Sequence, residues 1–237
     1  MTYRLVVTPE QIQQERITLD ARQQHYLLRV LRLNNGDRFI ALDGAGNSWL
    51  AKIADRSAQI ISKIEIETEL PVSLTLITAL PKANGYEQVI RCCTELGVSK
   101  FIPVISDRTI VKPSPNKVQR WRKIAAEAAE QSERQIVPQI IEPIKFTRAI
   151  DNTTPDRDKY IAVARGNLPT FKNCLQNHSK PEIVIATGCE GGWTETEVAK
   201  AISSGFEAVS LGNRILRAVT APIVVSSLVS CWLDSNK

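Results

Sequence analysis

From Leu74 onward the chain alternates apolar strand-like runs with helix-like segments, which restricts this half to a mostly parallel sheet covered by helices on both faces. The strand runs are residues 74–80, 101–105, 160–164, 183–186 and 208–211. Between the first two, Asn84 reads as a helix cap with Glu87 at the capping-box position, and Gly97 ends that helix at C′. Ser114-Pro115 opens a longer helix to about Arg134, with the apolar stripe Val118, Trp121, Ile124, Ala125 and Ala128. Helices are expected over 169–176 and 194–203, the latter with Thr194 and Glu197 as a second capping box.

Two of these strand runs end in sharp glycine loops. Gly188-Cys189-Glu190-Gly191-Gly192-Trp193 follows the 183–186 run, and Leu211-Gly212-Asn213-Arg214-Ile215-Leu216-Arg217 follows the 208–211 run. The carboxyl ends of parallel strands are where open α/β sheets bind ligands, and glycine lets the main chain approach a ligand closely. Two such loops in consecutive units therefore mark a candidate site. Neither is a dinucleotide fingerprint or a P-loop. Gly44-Ala45-Gly46 lacks a third glycine and reads as a hairpin turn.

The first 70 residues read differently. Short β-rich runs at 3–7, 38–42, 48–54 and 59–66 are separated by turn signals, with one helix from Asp20, boxed by Gln23, through Val30. A small barrel carrying one helix is expected, with a boundary at Pro71.

Charge adds a second clue. The chain carries 30 basic and 25 acidic residues, and the excess concentrates between Arg108 and Lys123. That span holds Arg108, Lys112, Lys117, Arg120, Arg122 and Lys123 without a single acid. Cations in the first turns of the 114–134 helix oppose its dipole and make that end attract anions, an arrangement a polyphosphate such as RNA rewards. Two histidines and five cysteines without CxxC spacing argue against a metal site, and Cys189 reads as a small packing residue. The 16 uncharged residues 218–233 are too short for a membrane span. The segment 215–233 reads as a helix apolar all round, so it must be buried in the core or in a subunit interface. A start without a signal-peptide region makes a cytoplasmic protein the expectation.

The same residues resemble the RsmE family of ribosomal RNA methyltransferases, in the SPOUT superfamily, over essentially the whole chain. The matching pieces are His25 with Val30-Leu31-Arg32, Lys82, Thr94-Glu95-Leu96-Gly97-Val98, Pro103, Arg108, Glu127-Ala128-Ala129-Glu130-Gln131-Ser132 with Arg134 and Pro138, Gly188 with Glu190-Gly191-Gly192, and Leu211-Gly212 with Arg214-Ile215-Leu216-Arg217. The resemblance implies a PUA-like RNA-binding β-barrel over 1–70 and a SPOUT α/β domain over 71–237 with a C-terminal trefoil knot. It implies S-adenosylmethionine as cofactor, held at Ala164, Gly188, Glu190, Gly191, Gly192, Leu211, Gly212, Ile215 and Leu216. It further implies a homodimer that methylates N3 of a uridine in the small-subunit RNA of the 30S particle, a step of ribosome biogenesis. RNA contacts are expected from Arg29, Arg32, Lys82, Lys112, Lys117, Arg120, Arg122 and Lys123.

The chain departs from the family pattern at Cys189, where proline is usual, near Cys92, where a lysine is usual, and at Ala218-Val219-Thr220-Ala221, where Thr-Glu-Thr-Ala is usual. Two expectations follow: an active RNA methyltransferase, and a relative that binds RNA or cofactor without efficient turnover. For the chemistry, Arg217 and Arg108 are the candidates to stabilise charge developing on the base.

Overall fold

A computed structural model of the chain describes residues 3–65, 67–154 and 156–235. The chain divides into two compact units, Met1–Glu69 with Ala129–Val137, and Leu70–Ala128 with Pro138–Lys237. The expected boundary at Pro71 falls beside the first junction, but the return of Ala129–Val137 to the first unit has no signature in the sequence.

The first unit is a six-stranded sheet in the order β1-β4-β5-β6-β3-β2, formed by β1 (Arg4–Val6), β2 (Ile12–Gln13), β3 (Arg16–Thr18), β4 (Arg38–Leu42), β5 (Ser48–Ala54) and β6 (Ser57–Ile64). β1 runs parallel to β4, and the other pairs are antiparallel. The run expected over 59–66 ends at Ile64, and Ile66 lies outside the described residues. The edge strands β1 and β2 do not pair with each other among the described residues, so the expected barrel is an open ladder in its hydrogen bonding. β2 and β3 were not expected; two and three residues are too short to show an alternation. The expected helix splits in two: α1 (Ala21–His25), opened by the Asp20–Gln23 capping box, continues as a π-helical turn over Tyr26–Val30. Leu5, Ile17, Leu27, Phe39 and Ile53 form the core.

The returning segment is tied in by its own polar groups. Glu69 accepts from Arg134 Nη2 at 2.6 Å and from the Gln135 and Ile136 amides at 3.0 Å each. Gln135 donates to the buried Ser48 hydroxyl, and the Val6 amide donates to Glu130 at 2.6 Å.

The second unit has a seven-stranded, all-parallel sheet. Its strands are β7 (Ser73–Ala79), β8 (Lys100–Ile105), β9 (Gln139–Ile140), β10 (Ile144–Lys145), β11 (Asp158–Ala162), β12 (Glu182–Thr187) and β13 (Glu207–Val209). The order is β10-β8-β7-β12-β11-β13, with β9 also on the β8 edge. β7 and β12 are buried along nearly their whole length, as central parallel strands must be. The helices are α2 (Gly85–Glu95), α3 (Pro115–Gln131), α4 (Phe146–Asp151), α5 (Phe171–Leu175), α6 (Glu195–Ser203) and α7 (Thr220–Asp234).

Three helix expectations need correction. Asn84 has φ −102° and ψ 17°, not the extended backbone a side-chain cap requires, and it makes no capping bond. Its expected box partner Glu87 instead holds Arg120 through both carboxylate oxygens, at 2.8 and 2.9 Å. α3 stops at Gln131, three residues before Arg134. α7 begins at Thr220 rather than Ile215, and Ile215 is 65% exposed. Pro222, Val225, Ser226, Val229 and Leu233 bury one face of α7 within the chain, whereas its other apolar residues are only partly covered.

Candidate active site

The carboxyl ends of β11, β12 and β13 lie side by side, and the loop leaving each one lines a common pocket of about 240 Å³. Two of these loops are the glycine loops of the sequence. The third, Val163-Ala164-Arg165 after β11, runs into the single glycine Gly166 (φ 119°), and only its Ala164 is among the expected residues. The loop after β12 reaches α6 through the Thr194–Glu197 capping box, which forms as expected. Phe146 stacks on Trp193 with ring centroids 4.2 Å apart, fixing that loop's last residue against the core.

Four of the residues lining this space are glycines, Gly188, Gly191, Gly192 and Gly212. Gly192 (φ 68°) and Gly212 (φ 109°) adopt left-handed backbone, and a Cβ at either would meet nothing within 4 Å. The loops can therefore present amide and carbonyl groups directly to a ligand. Trp193 lines the pocket, and its indole N–H is buried with no acceptor among the described residues. Arg108, Arg165 and Arg214 line the pocket, and no carboxylate does so among the described residues.

Of the nine expected cofactor residues, Ala164, Gly188, Gly191, Gly192, Leu211, Gly212 and Leu216 line the pocket. Glu190 and Ile215 do not. Glu190 turns away to accept the Lys82 amide at 2.9 Å, joining the loops after β12 and β7. Cys189 is buried in the core with its Sγ 3.8 Å from Ser106 Oγ. Burial pushes the Cys93 thiol up to about 12 and the Cys174 thiol up to about 11, so neither supplies a thiolate.

The two candidate arginines separate. Arg108 stands on the turn after β8 and donates through Nη1 to the carbonyls of Gly191 (2.7 Å) and Trp193 (3.2 Å). Its sequence neighbour Asp107 forms no ion pair with it among the described residues. Arg217 is exposed and does not line the pocket of its own chain; its carbonyl instead accepts the Thr220 and Ala221 amides at the start of α7. Arg214, inside the second glycine loop and among the residues of the family resemblance, also lines the pocket, as does Arg165 in the loop after β11, which no expectation singled out. Val219, where the family usually has glutamate, packs on Gly85 at the start of α2: a Cβ there would lie 2.8 Å from Val219 Cγ2.

The basic span is less free than it reads. Arg120 pairs with Glu87, Arg122 with Glu142 at 2.9 Å, and Lys123 with Glu127 at 3.5 Å. The span has no acid in sequence, but three acids from elsewhere reach it. Lys82, Lys112 and Lys117 make no ion pair among the described residues, nor do Arg29 and Arg32 in the first unit. Arg32 has a left-handed backbone at φ 56°.

A parallel sheet with glycine-bearing loops at adjacent strand ends, together with a separate small β unit, matches known proteins. Residues 68–230 match the family model of an RNA methyltransferase domain, and residues 19–65 match that of an RNA methyltransferase PUA domain. A ribosomal RNA small subunit methyltransferase E of Synechocystis sp. is 47% identical over 240 residues, covering 99% of this chain and 79% of the relative. The Bacillus subtilis protein of the same name is 31% identical, covering 96% and 95%. The crystal structure of a ribosomal RNA small subunit methyltransferase E from Neisseria gonorrhoeae, bound to S-adenosyl methionine, is similar with a TM-score of 0.88 at 30% identity over 98% of each chain. The chain belongs to the ribosomal RNA small subunit methyltransferase E family.

Proposed function

We propose that this protein transfers a methyl group from S-adenosylmethionine to N3 of a uridine in small-subunit ribosomal RNA. The observation that carries the reading is the pocket at three adjacent strand ends, in a chain whose 30%-identical structural neighbour is bound to that cofactor. The residues present fit such a molecule. The open faces of Gly192 and Gly212 leave room for a ligand to approach the main chain without side-chain obstruction. When bound, the cofactor supplies an electrophilic methyl group. The chain's task is to align the base, to exclude water and to favour the anionic form of a weakly acidic imide. Stabilising that charge is assigned to Arg108, a reading supported by its position in the pocket lining and its two bonds to carbonyls there. Incubating the protein with small ribosomal subunits and labelled cofactor, then digesting the RNA for mass spectrometry, tests the reading. A 3-methyluridine product supports it. A methyl group elsewhere overturns the N3 assignment, and tight cofactor binding without transfer would mark a binding-only relative.

Gly191 bears on both cofactor and arginine. A Cβ at this position would sit 3.0 Å from Arg108 Cβ and 3.2 Å from its Cδ, so a side chain there displaces the arginine stem before it reaches any ligand. Gly191→Val is expected to lower cofactor affinity in a folded protein and to slow single-turnover transfer by about tenfold or more, because misplacement on the scale of 1 Å is costly. Wild-type values for both would remove Gly191 from the site.

RNA binding is assigned to Arg29, Arg32, Lys82, Lys112 and Lys117, with Arg120, Arg122 and Lys123 contributing less because carboxylates already hold them. Changing Lys112 and Lys117 together to glutamine is expected to flatten the slope of log affinity against log salt by about 1.5, since each lost phosphate contact removes about 0.7–0.9. Changing Arg120 alone should move the slope less. An unchanged slope in the double variant would make both lysines a solvated face.

The half-covered α7 supports a homodimer, and the connection into that helix is assigned to a trefoil knot on the family resemblance. Static light scattering at micromolar concentration should give twice the chain mass, and Leu228→Glu should reduce it to one. A monomeric wild type would refute the dimer. Among the described residues no helix is long and apolar enough to cross a membrane, and a cytoplasmic location is proposed with the ribosomal substrate.

A further inference from the structure

Glu197 is only 4% exposed and is the most buried carboxylate among the described residues, yet it does not line the pocket at the strand ends. Its two oxygens face two different loops. Oε2 accepts the Thr194 amide at 2.9 Å, which closes the capping box of α6. Oε1 accepts the Asp107 amide at 2.9 Å, in the turn that follows β8. That turn is closed by its own bonds, with Thr109 N–H donating to the Ser106 carbonyl at 3.0 Å and the two hydroxyls 2.8 Å apart. The Thr194 hydroxyl lies 3.2 Å from both Glu197 Oε2 and Asp107 Oδ2 and can donate to one at a time.

A capping box requires only one of these arms. The second arm joins the amino end of α6 to the turn that carries Arg108, and the Arg108 side chain closes the circuit onto Gly191 and Trp193. We propose that Glu197 is a positioning residue that acts through Arg108, holding the 106–109 turn in register with the glycine loop after β12. The two loops come from β8 and β12, strands separated by β7 in the sheet, so strand pairing does not couple them directly. Glu197 and Arg108 supply that coupling from opposite directions. A carboxylate suits the position because two backbone N–H groups approach its two different oxygens, and in a neutral amide one of those two positions is an NH₂ donor.

Glu197→Gln separates the two roles. Glutamine still completes a capping box through its carbonyl, but its NH₂ group then confronts the Asp107 N–H. Hydrogen exchange is expected to quicken at residues 106–109 in the Glu197→Gln protein, with β12 and the first turn of α6 unchanged. The activity arm rests on the methyl-transfer reading above: single-turnover transfer at saturating RNA and cofactor should fall on the order of 10- to 100-fold. In an Arg108→Ala background the same substitution should change the rate by no more than about twofold, because both act on one element. Unchanged exchange at 106–109 would overturn the proposal, as would an equal loss of rate in both backgrounds, which marks a general structural defect. A wild-type protein that transfers no methyl group would defeat the functional reading alone, and the exchange measurement would still decide the role of Glu197.

Discussion

Arg108→Ala is expected to lower single-turnover methyl transfer at saturating RNA and cofactor by about 100-fold, the loss typical of removing one donor aimed at developing negative charge. The expectation rests on where the guanidinium is held. Nη1 is committed to the Gly191 and Trp193 carbonyls at 2.7 and 3.2 Å, so the group is fixed before any base arrives. Such fixation is what makes an ionic donor effective in a transition state, since no reorganisation is needed when the charge appears. Arg108→Lys keeps the charge but not the planar fork, and should retain more of the rate. Arg217→Ala should leave the chemical step close to wild type within a single chain, because Arg217 does not line its own pocket. Wild-type rates in Arg108→Ala would exclude it from the chemistry. A severe loss in Arg217→Ala would point instead to a partner subunit's pocket.

The largest stability effect is expected in the first unit. Arg134 is 3% exposed and meets both oxygens of Glu69, and that carboxylate also receives two backbone amides. Arg134→Ala leaves Glu69 charged and half-served in a largely buried place, a change that typically costs about 3–5 kcal/mol. Glu69 keeps 21% exposure, which puts the expectation at the lower end, roughly 3 kcal/mol. Even that is a large share of a domain stability of about 5–15 kcal/mol. Urea unfolding read by hydrogen exchange in β5 and β6 would measure it, and a loss below about 1 kcal/mol would show that the bond is dispensable.

Much of the site was legible. β4 and β5 appear at the expected residues, 38–42 and 48–54, because apolar runs bounded by Asn-Asn-Gly-Asp and Asp-Gly-Ala-Gly-Asn have few other ways to fold. The glycine loops mark themselves for the same reason: only backbone that must turn sharply after a strand concentrates glycine in this way. The loop after β11 was harder to see. Ala162, Val163 and Ala164 are ordinary residues, and their place in the pocket comes from β11 lying between β12 and β13, an order the sequence does not state. Asn84 shows the reverse case. Its spacing to Glu87 fits a capping box, but Arg120 offers that carboxylate two charge-assisted bonds, and these are stronger than a bond to one backbone amide.

What the sequence determined by itself is therefore local: the two structural rhythms, the turns, the Asp20 and Thr194 caps and the glycine loops, all of which depend on residues within a few positions of one another. The tertiary structure alone decided which charges are satisfied and which elements meet. Arg120, Arg122 and Lys123 look like a free cationic face until Glu87 and Glu142 arrive from other parts of the chain, joined by Glu127 one turn along α3. Glu69 and Arg134, 65 positions apart, look like unrelated surface residues until folding buries them together. The physical reason is range. Backbone conformation responds to immediate neighbours, whereas burial and charge pairing respond to whatever folding brings within a few ångströms, and no local pattern records that.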